Sequence, residues 1–325
     1  MPKASNPHHG SLQFWPRKRA KRVYARVRSK ISSKEAKPLE FAGYKVGMTH
    51  VAVTDNRPKA LTKGEEITYP VTIIECPPIK ISSIKFYKNT IKGLKAVSEV
   101  FSDKLDKELE RKITLPKKIK KNVDDIKDFD DIKVTAYTNP KLTTIGKKKP
   151  EFFELALGGS KEEKLKWARE NLGKEIKVGD VFQEGQQIDI HAVTKGKGYQ
   201  GPVKRFGVGL KHHKSEKGVR RVGSLGGWIA QGHVMWRVAH AGQMGFHQRT
   251  EYNKWLLKIG TNPEEMSTKN GFIRYGVIKN PYILVKGSIA GPSKRLIRFN
   301  HAIRGRKNVP KEAPPINYIN LDLKK

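Results

Sequence analysis

The chain has 325 residues, and 66 Lys and Arg against 31 Asp and Glu give it a formal charge of +35. A free protein with that surplus repels itself and favours a polyanionic partner: nucleic acid, an anionic membrane face or a sulfated polysaccharide. No apolar run approaches the roughly 20 residues of a membrane span, MPKASNPHHGSLQFWPRKR lacks a secretory h-region, and a lone Cys76 excludes an internal disulfide, so an intracellular nucleic-acid binder of about two domains is expected.

Residues 1–34 hold ten Lys or Arg and no acid, with Phe14, Trp15 and Tyr24 among the charges. Such a segment lacks the apolar area to fold alone. Aromatics between cations suit base stacking, so it reads as an arm that orders against phosphates. Next, FAGYKVGMTHVAVTD and TYPVTIIECPP are rich in β-branched and aromatic residues and broken by Gly and Pro, which predicts strands.

Residues 80–172 carry 15 of the 31 acids and are closer to charge balance. Here SDKLDKELERKI puts Leu105, Leu109 and Ile113 on one helical face, and KVTAYT reads as a strand. SKEEKLKWARENLG has Ser160 and Glu163 at capping-box spacing, Leu165, Ala168 and Leu172 on one stripe, and Gly173 as a stop. The acidic run DDIKDFDD, Asp124 to Asp131, lacks the glycine of a calcium loop and reads as a solvated face balancing KKIKK.

Strand-like stretches return in KVGDVFQEGQQIDIHAVTKG, GFIRYGVIKNPYILVKGSI and RLIRFNHAI. In QIDIHAV, Ile188 and Ile190 alternate with Asp189 and His191, the mark of a half-buried strand. Short strands without crossover helices suggest a small closed barrel. The expected fold is therefore mainly β: a closed β-barrel (38–79 and 173–305) with an inserted α/β domain (80–172). Long basic extensions complete it, at 1–37 and as a Gly-rich stretch at 195–250, with a tail at 306–325.

VTKGKGYQGPVKRFG contains Gly196, Gly198 and Gly201 in the dinucleotide-binding spacing G-x-G-x-x-G. That chemistry needs an apolar-striped helix after the glycines, but VKRFGVGLKHHKSEKG offers more glycine and charge instead. Residues 195–250 hold 12 glycines, 11 Lys or Arg, five histidines and the single acid Glu216. Glycines let backbone N–H groups approach phosphates closely, and Tyr199, Phe206, Trp228, Trp236 and Phe246 argue against a plain linker. An RNA-threading finger is expected, with Met235 and Trp236 as its best core residues. His233, His240 and His247 recur every seven residues, but glycines interrupt any helix and no cysteine is near, so neither metal nor cofactor is expected. With no G-x-S-x-G elbow, an RNA-modifying enzyme is less favoured than a structural RNA binder. A chromatin-type DNA binder would call for a recognition helix.

VTKGKGYQGPVKRFGV, GSLGGWIAQGHVMWRVAHAGQMGFHQRTEYN, FAGYKVGMTH and VKGSIAGPSKRL resemble the ribosomal protein L-three family of the large subunit, in its archaeal and eukaryotic type. The resemblance implies a translation-protein barrel and a non-catalytic role in cytoplasmic ribosomes. It also implies primary binding near the three-prime end of large-subunit rRNA, nucleation of assembly, and a reach toward the peptidyl-transferase centre. Ribosomal proteins fourteen and twenty-four-e are its implied neighbours. By the same resemblance Gly226, Gly227 and Trp228 form the finger tip. Glu216 stands where eukaryotic members place a histidine, so that histidine's role does not transfer. The residues expected to contact RNA are Arg17, Lys18, Arg19, Lys21, Arg22, Arg26 and Arg28 in the arm. In the finger they are Lys195, Lys197, Tyr199, Lys204, Arg205, Lys211, His212, His213, Arg220, Arg221, Trp228, Arg237 and Arg249. Lys294 and Arg295 follow in the last motif.

Overall fold

A computed structural model describes residues 11–116, 118, 122–126, 128–230, 232–266, 268 and 270–321. The first ten residues of the expected amino-terminal extension, the last four of the tail and most of KKIKK lie outside the described residues. The chain divides into two compact units: Tyr24–Ala192 with Thr250–Lys325, and Met1–Val23 with Val193–Arg249.

The fold is mainly β, as the sequence predicts. In chain order the elements are β1 (Glu40–Thr54), β2 (Glu66–Glu75), β3 (Ile79–Thr90), β4 (Gly93–Phe101), β5 (Asp131–Thr138), β6 (Phe152–Ala156) and α1 (Lys161–Asn171). Then come β7 (Glu175–Ile176), β8 (Gln187–Val193), β9 (Tyr199–Gln200), α2 (Pro202–Phe206) and β10 (Gly242–Gln243). The last are β11 (Gln248–Gly260), β12 (Tyr282–Lys286), β13 (Leu296–His301) and β14 (Ile316–Ile319).

In the larger unit, one sheet runs β13-β8-β11-β12-β2-β1-β14, and β1 also pairs with β13. That second pairing sets Glu40 opposite Asn300 and Tyr44 opposite Leu296, antiparallel. Tyr282, Ile283, Leu284 and Val285 of β12 are all fully buried. A strand buried on both faces reads as a continuous apolar run, not an alternation. A second sheet runs β4-β3-β5-β6, with β7 on β3. Ile79, Ile81, Ile84 and Phe86 of β3 belong to its core.

Three expectations change here. In QIDIHAV, Asp189 and His191 are buried along with the isoleucines. Both are fully engaged: Asp189 accepts from the N–H groups of Asn253 (2.8 Å) and Ile303 (3.1 Å), and His191 bonds Thr250 Oγ1 (2.9 Å) and Asn300 Oδ1 (2.8 Å). Buried polar groups must be partnered, and polar alternation does not reveal whether solvent or partners will do it. The helix expected in SDKLDKELERKI shrinks to a 3-10 turn at Lys107–Arg111. Its capping residue Asp106 is diverted, accepting from Lys80 Nζ and Tyr137 Oη at 2.7 Å each. The acidic run DDIKDFDD, by contrast, keeps its solvated face, with Asp124, Asp125, Asp128 and Asp130 exposed, and three of its acids pair with Arg169, Lys88 and Lys164. Finally, Tyr24, Ala25 and Val27 of the expected arm are buried in the larger unit, and Tyr24 Oη donates to the Phe152 carbonyl (2.6 Å). Tyr24 is therefore not available to stack on bases.

The second predicted helix forms as read. Ser160 Oγ accepts from Glu163 N while Glu163 Oε2 accepts from Ser160 N (2.8 Å), and Ala168 is fully buried. No helix among the described residues is long and apolar enough to cross a membrane.

Candidate nucleic-acid interface

The smaller unit has almost no core. Among its described residues only Val193 and His247 are buried. Its segments are held by contacts between guanidinium groups, aromatic rings and backbone carbonyls. Arg17 lies over the Phe206 ring at 4.2 Å, and Trp15 packs on Phe206 with centroids 4.6 Å apart. Trp236 meets Trp15 edge-on at 6.1 Å, yet it is 58% exposed, and Met235 is only half-buried. Neither forms the core expected of them. Arg19 lies over Phe246 at 5.4 Å, and Arg249 over Phe14 at 4.6 Å. Cation–π contacts of this kind hold a cation without neutralising it.

Arg205 is the central brace. Its Nε donates to the Gln243 carbonyl (3.1 Å) and its Nη1 to the His240 carbonyl (2.9 Å), while Arg17 donates to the carbonyl of Arg205. Desolvation, then the charge of Arg17, pulls the Arg205 pKa down. His247 is a second fastener. Its Nδ1 donates to the Lys18 carbonyl (2.7 Å), which fixes the tautomer, and its N–H donates to Thr194 Oγ1 (3.1 Å). Burial first, then Arg249, Arg17 and Arg205, lowers its pKa and keeps the ring neutral. RNA contact or backbone bonding is the use the sequence leaves to these histidines, and His247 takes the second, although the sequence does not name Lys18 as its partner.

The glycine pattern resolves into backbone work. Gly201 precedes α2, Pro202 opens it, and Gly207 closes it at φ 68°, leaving a five-residue helix without a buried side chain. Gly245 (φ +70°) passes so close to Lys195 that a Cβ would sit 2.0 Å from its carbonyl oxygen. At the other end, Gly226 (φ +72°) and Gly227 lead into Trp228, 44% exposed, whose N–H donates to the His233 carbonyl (2.9 Å).

Most residues expected to contact RNA lie at the surface. In the smaller unit Lys18, Arg19, Lys21, Arg22, Lys195, Lys197, Tyr199, Lys204, Lys211, His212, His213, Arg220, Arg221, Trp228 and Arg237 are exposed. Arg17, Arg205 and Arg249 are half-buried by the contacts above. Arg26, Arg28, Lys294 and Arg295 belong to the larger unit, the first three exposed and Arg295 half-buried. Lys214 and Lys217, absent from the sequence-based set, are equally exposed in the same stretch, and their charge alone would have found them. Among the described residues, no Lys or Arg from Val193 to Arg249 forms an ion pair; Lys80, Lys85, Lys164 and Arg298 of the larger unit do.

Comparison with known proteins is consistent with this picture. The model of the family "Ribosomal protein L3" matches residues 1–322. The large ribosomal subunit protein uL3 of Methanocaldococcus jannaschii is 49% identical over 329 residues, covering 98% of both chains. That of Archaeoglobus fulgidus is 50% identical over 314 residues, covering 94% of both, and that of Methanobrevibacter smithii 46% over 335 residues, covering 100% of this chain and 99% of its own. A match of that length and identity settles the family: the chain belongs to the ribosomal protein L3 family, whose members are structural components of the ribosome and not enzymes.

Proposed function

We propose that the chain is a non-catalytic constituent of the large ribosomal subunit that binds large-subunit rRNA chiefly through its smaller unit. The observation that carries this is the contrast in charge pairing: carboxylates answer many cations of the larger unit, whereas, among the described residues, those of Val193–Arg249 have none and pack on no core. Phosphates supply the missing counter-charge, and the site residues named above are the contacts. Half-buried Arg17, Arg205 and Arg249 shape the surface as well as charging it.

The finer reading rests on the motif resemblance. It places the protein near the three-prime end of the rRNA as a nucleator of assembly, with Gly226, Gly227 and Trp228 toward the peptidyl-transferase centre and ribosomal proteins fourteen and twenty-four-e as neighbours. The circuit β13-β8-β11-β12-β2-β1, closed by the β1–β13 pairing, supports reading the first sheet as a barrel. Residues 80–172 are then the inserted domain, 195–250 the finger, and 1–37 and 306–325 the extension and tail.

The test is to delete residues 1–23 and measure rRNA binding across salt concentrations. The cut stops before Tyr24 because Tyr24, Ala25 and Val27 are buried. Affinity should fall, and the slope of log K against log salt should shrink by about 0.7 to 0.9 for each phosphate that the arm no longer neutralises. An unchanged slope sinks the arm's role.

A further inference from the structure

The hairpin joining β3 to β4 gathers three exposed aliphatic side chains in seven residues. From Lys88 to Val97 every residue is exposed. Ile91 is fully so, Leu94 51% and Val97 49%. A two-stranded ribbon solvated on both faces is marginal alone, yet this one is held near its turn. Lys88 Nζ pairs with Asp128 (2.5 Å), Asn89 N–H donates to Asp130 (2.6 Å), and Thr90 Oγ1 donates to the Gly93 carbonyl (2.7 Å). Among the described residues, β4 has β3 as its one sheet neighbour, so Gly93–Val97 lies on an outer edge. No acid occurs between Phe86 and Ser98, and Lys92 and Lys95 have no carboxylate partner among the described residues.

We propose that this hairpin is a protein-docking surface, where an extended segment of another protein, alternating acidic and aliphatic residues, adds as a strand along Gly93–Val97. The edge supplies backbone pairing and the side chains supply selectivity. Carboxylates of the segment meet Lys92 and Lys95, and its aliphatic groups cover Ile91, Leu94 and Val97. RNA fits the patch less well: phosphates would engage the lysines but leave three aliphatic side chains uncovered, and no aromatic or guanidinium group is present for stacking. A second copy of this chain would set lysine against lysine, which disfavours pairing. This surface is separate from the arm and the finger, and its occupant does not depend on their contacts.

The experiment uses large subunits from cells whose copy of this protein carries a photoreactive residue in place of Leu94. Irradiation should give a covalent adduct with one protein of the particle, within an acidic and aliphatic stretch. Backbone amides of Gly93–Val97 should exchange hydrogen about tenfold more slowly in the particle than in the free chain. The double variant K92E/K95E should lower adduct yield severalfold while leaving the melting temperature of the free chain unchanged, because both positions are solvated. An adduct with rRNA, the absence of any protein adduct, or amides that exchange equally fast in both states overturns the proposal.

Discussion

Arg298 and Glu40 form an ion pair with both side chains under 5% exposed, and Arg298 also donates to the carbonyls of Glu154 (2.7 Å) and Ala25 (3.3 Å). Removing one partner strands a charge in the core. Arg298→Ala should cost about 3–5 kcal/mol, read as a shift in the urea midpoint. Lys286 is the opposite case, a half-buried cation with no carboxylate bound to it among the described residues. Its Nζ lies 3.3 Å from the centroid of Tyr69, and desolvation, then Arg57, pulls its pKa from 10.5 down to about 8. Below pH 8 the ammonium is charged whether the chain is folded or not, so the desolvation cost is fully present. Between pH 8 and 10.5 the unfolded chain holds a proton that the folded chain has released, and stability rises with pH. Lys286→Met should remove that rise, which urea midpoints at about pH 7.5 and about pH 10 will show against the wild-type chain. Neither role was legible in the sequence. Both depend on which distant side chain arrives nearby, and local composition does not encode that.

At the scale of elements, legibility followed how local the determinants are. The helix α1 is written entirely within one short stretch, Ser160 to Gly173, cap and stop included, and it forms as read. Ser160→Ala should cost about 1 kcal/mol, since it removes the acceptor that the Glu163 N–H now uses and weakens the reciprocal bond, and a thermal melt will measure it. The turn at Lys107–Arg111 also has helical apolar spacing but loses its cap to Lys80 and Tyr137, both remote in sequence. The strand β11 went unread because QRTEYNK is polar; its pairing with β12, Leu256 opposite Val285, makes it a strand. The stretch 195–250 is charged and glycine-rich in sequence, but the fastening by Arg205 and His247 depends on particular backbone carbonyls, which composition does not single out.

For the whole molecule, charge and order are distributed oppositely. The larger unit pairs many of its charges and buries a large aliphatic core, whereas the smaller one does neither and relies on rings and guanidinium groups. That division is visible in composition, since residues 80–172 hold 15 of the 31 acids and Val193–Arg249 only Glu216, whereas the contacts that order each unit are not. The stretch from Thr194 to His247 is threaded between β8 and β11, which are hydrogen-bonded neighbours. Its two ends are thus held together by the sheet whatever lies between them. Loop-closure entropy grows only with the logarithm of length, about 0.6 kcal/mol per doubling. Descendants of this protein can accordingly lengthen, shorten or rewrite that excursion at little thermodynamic penalty to the sheet that closes it, so the stretch is free to evolve at a different pace from those strands.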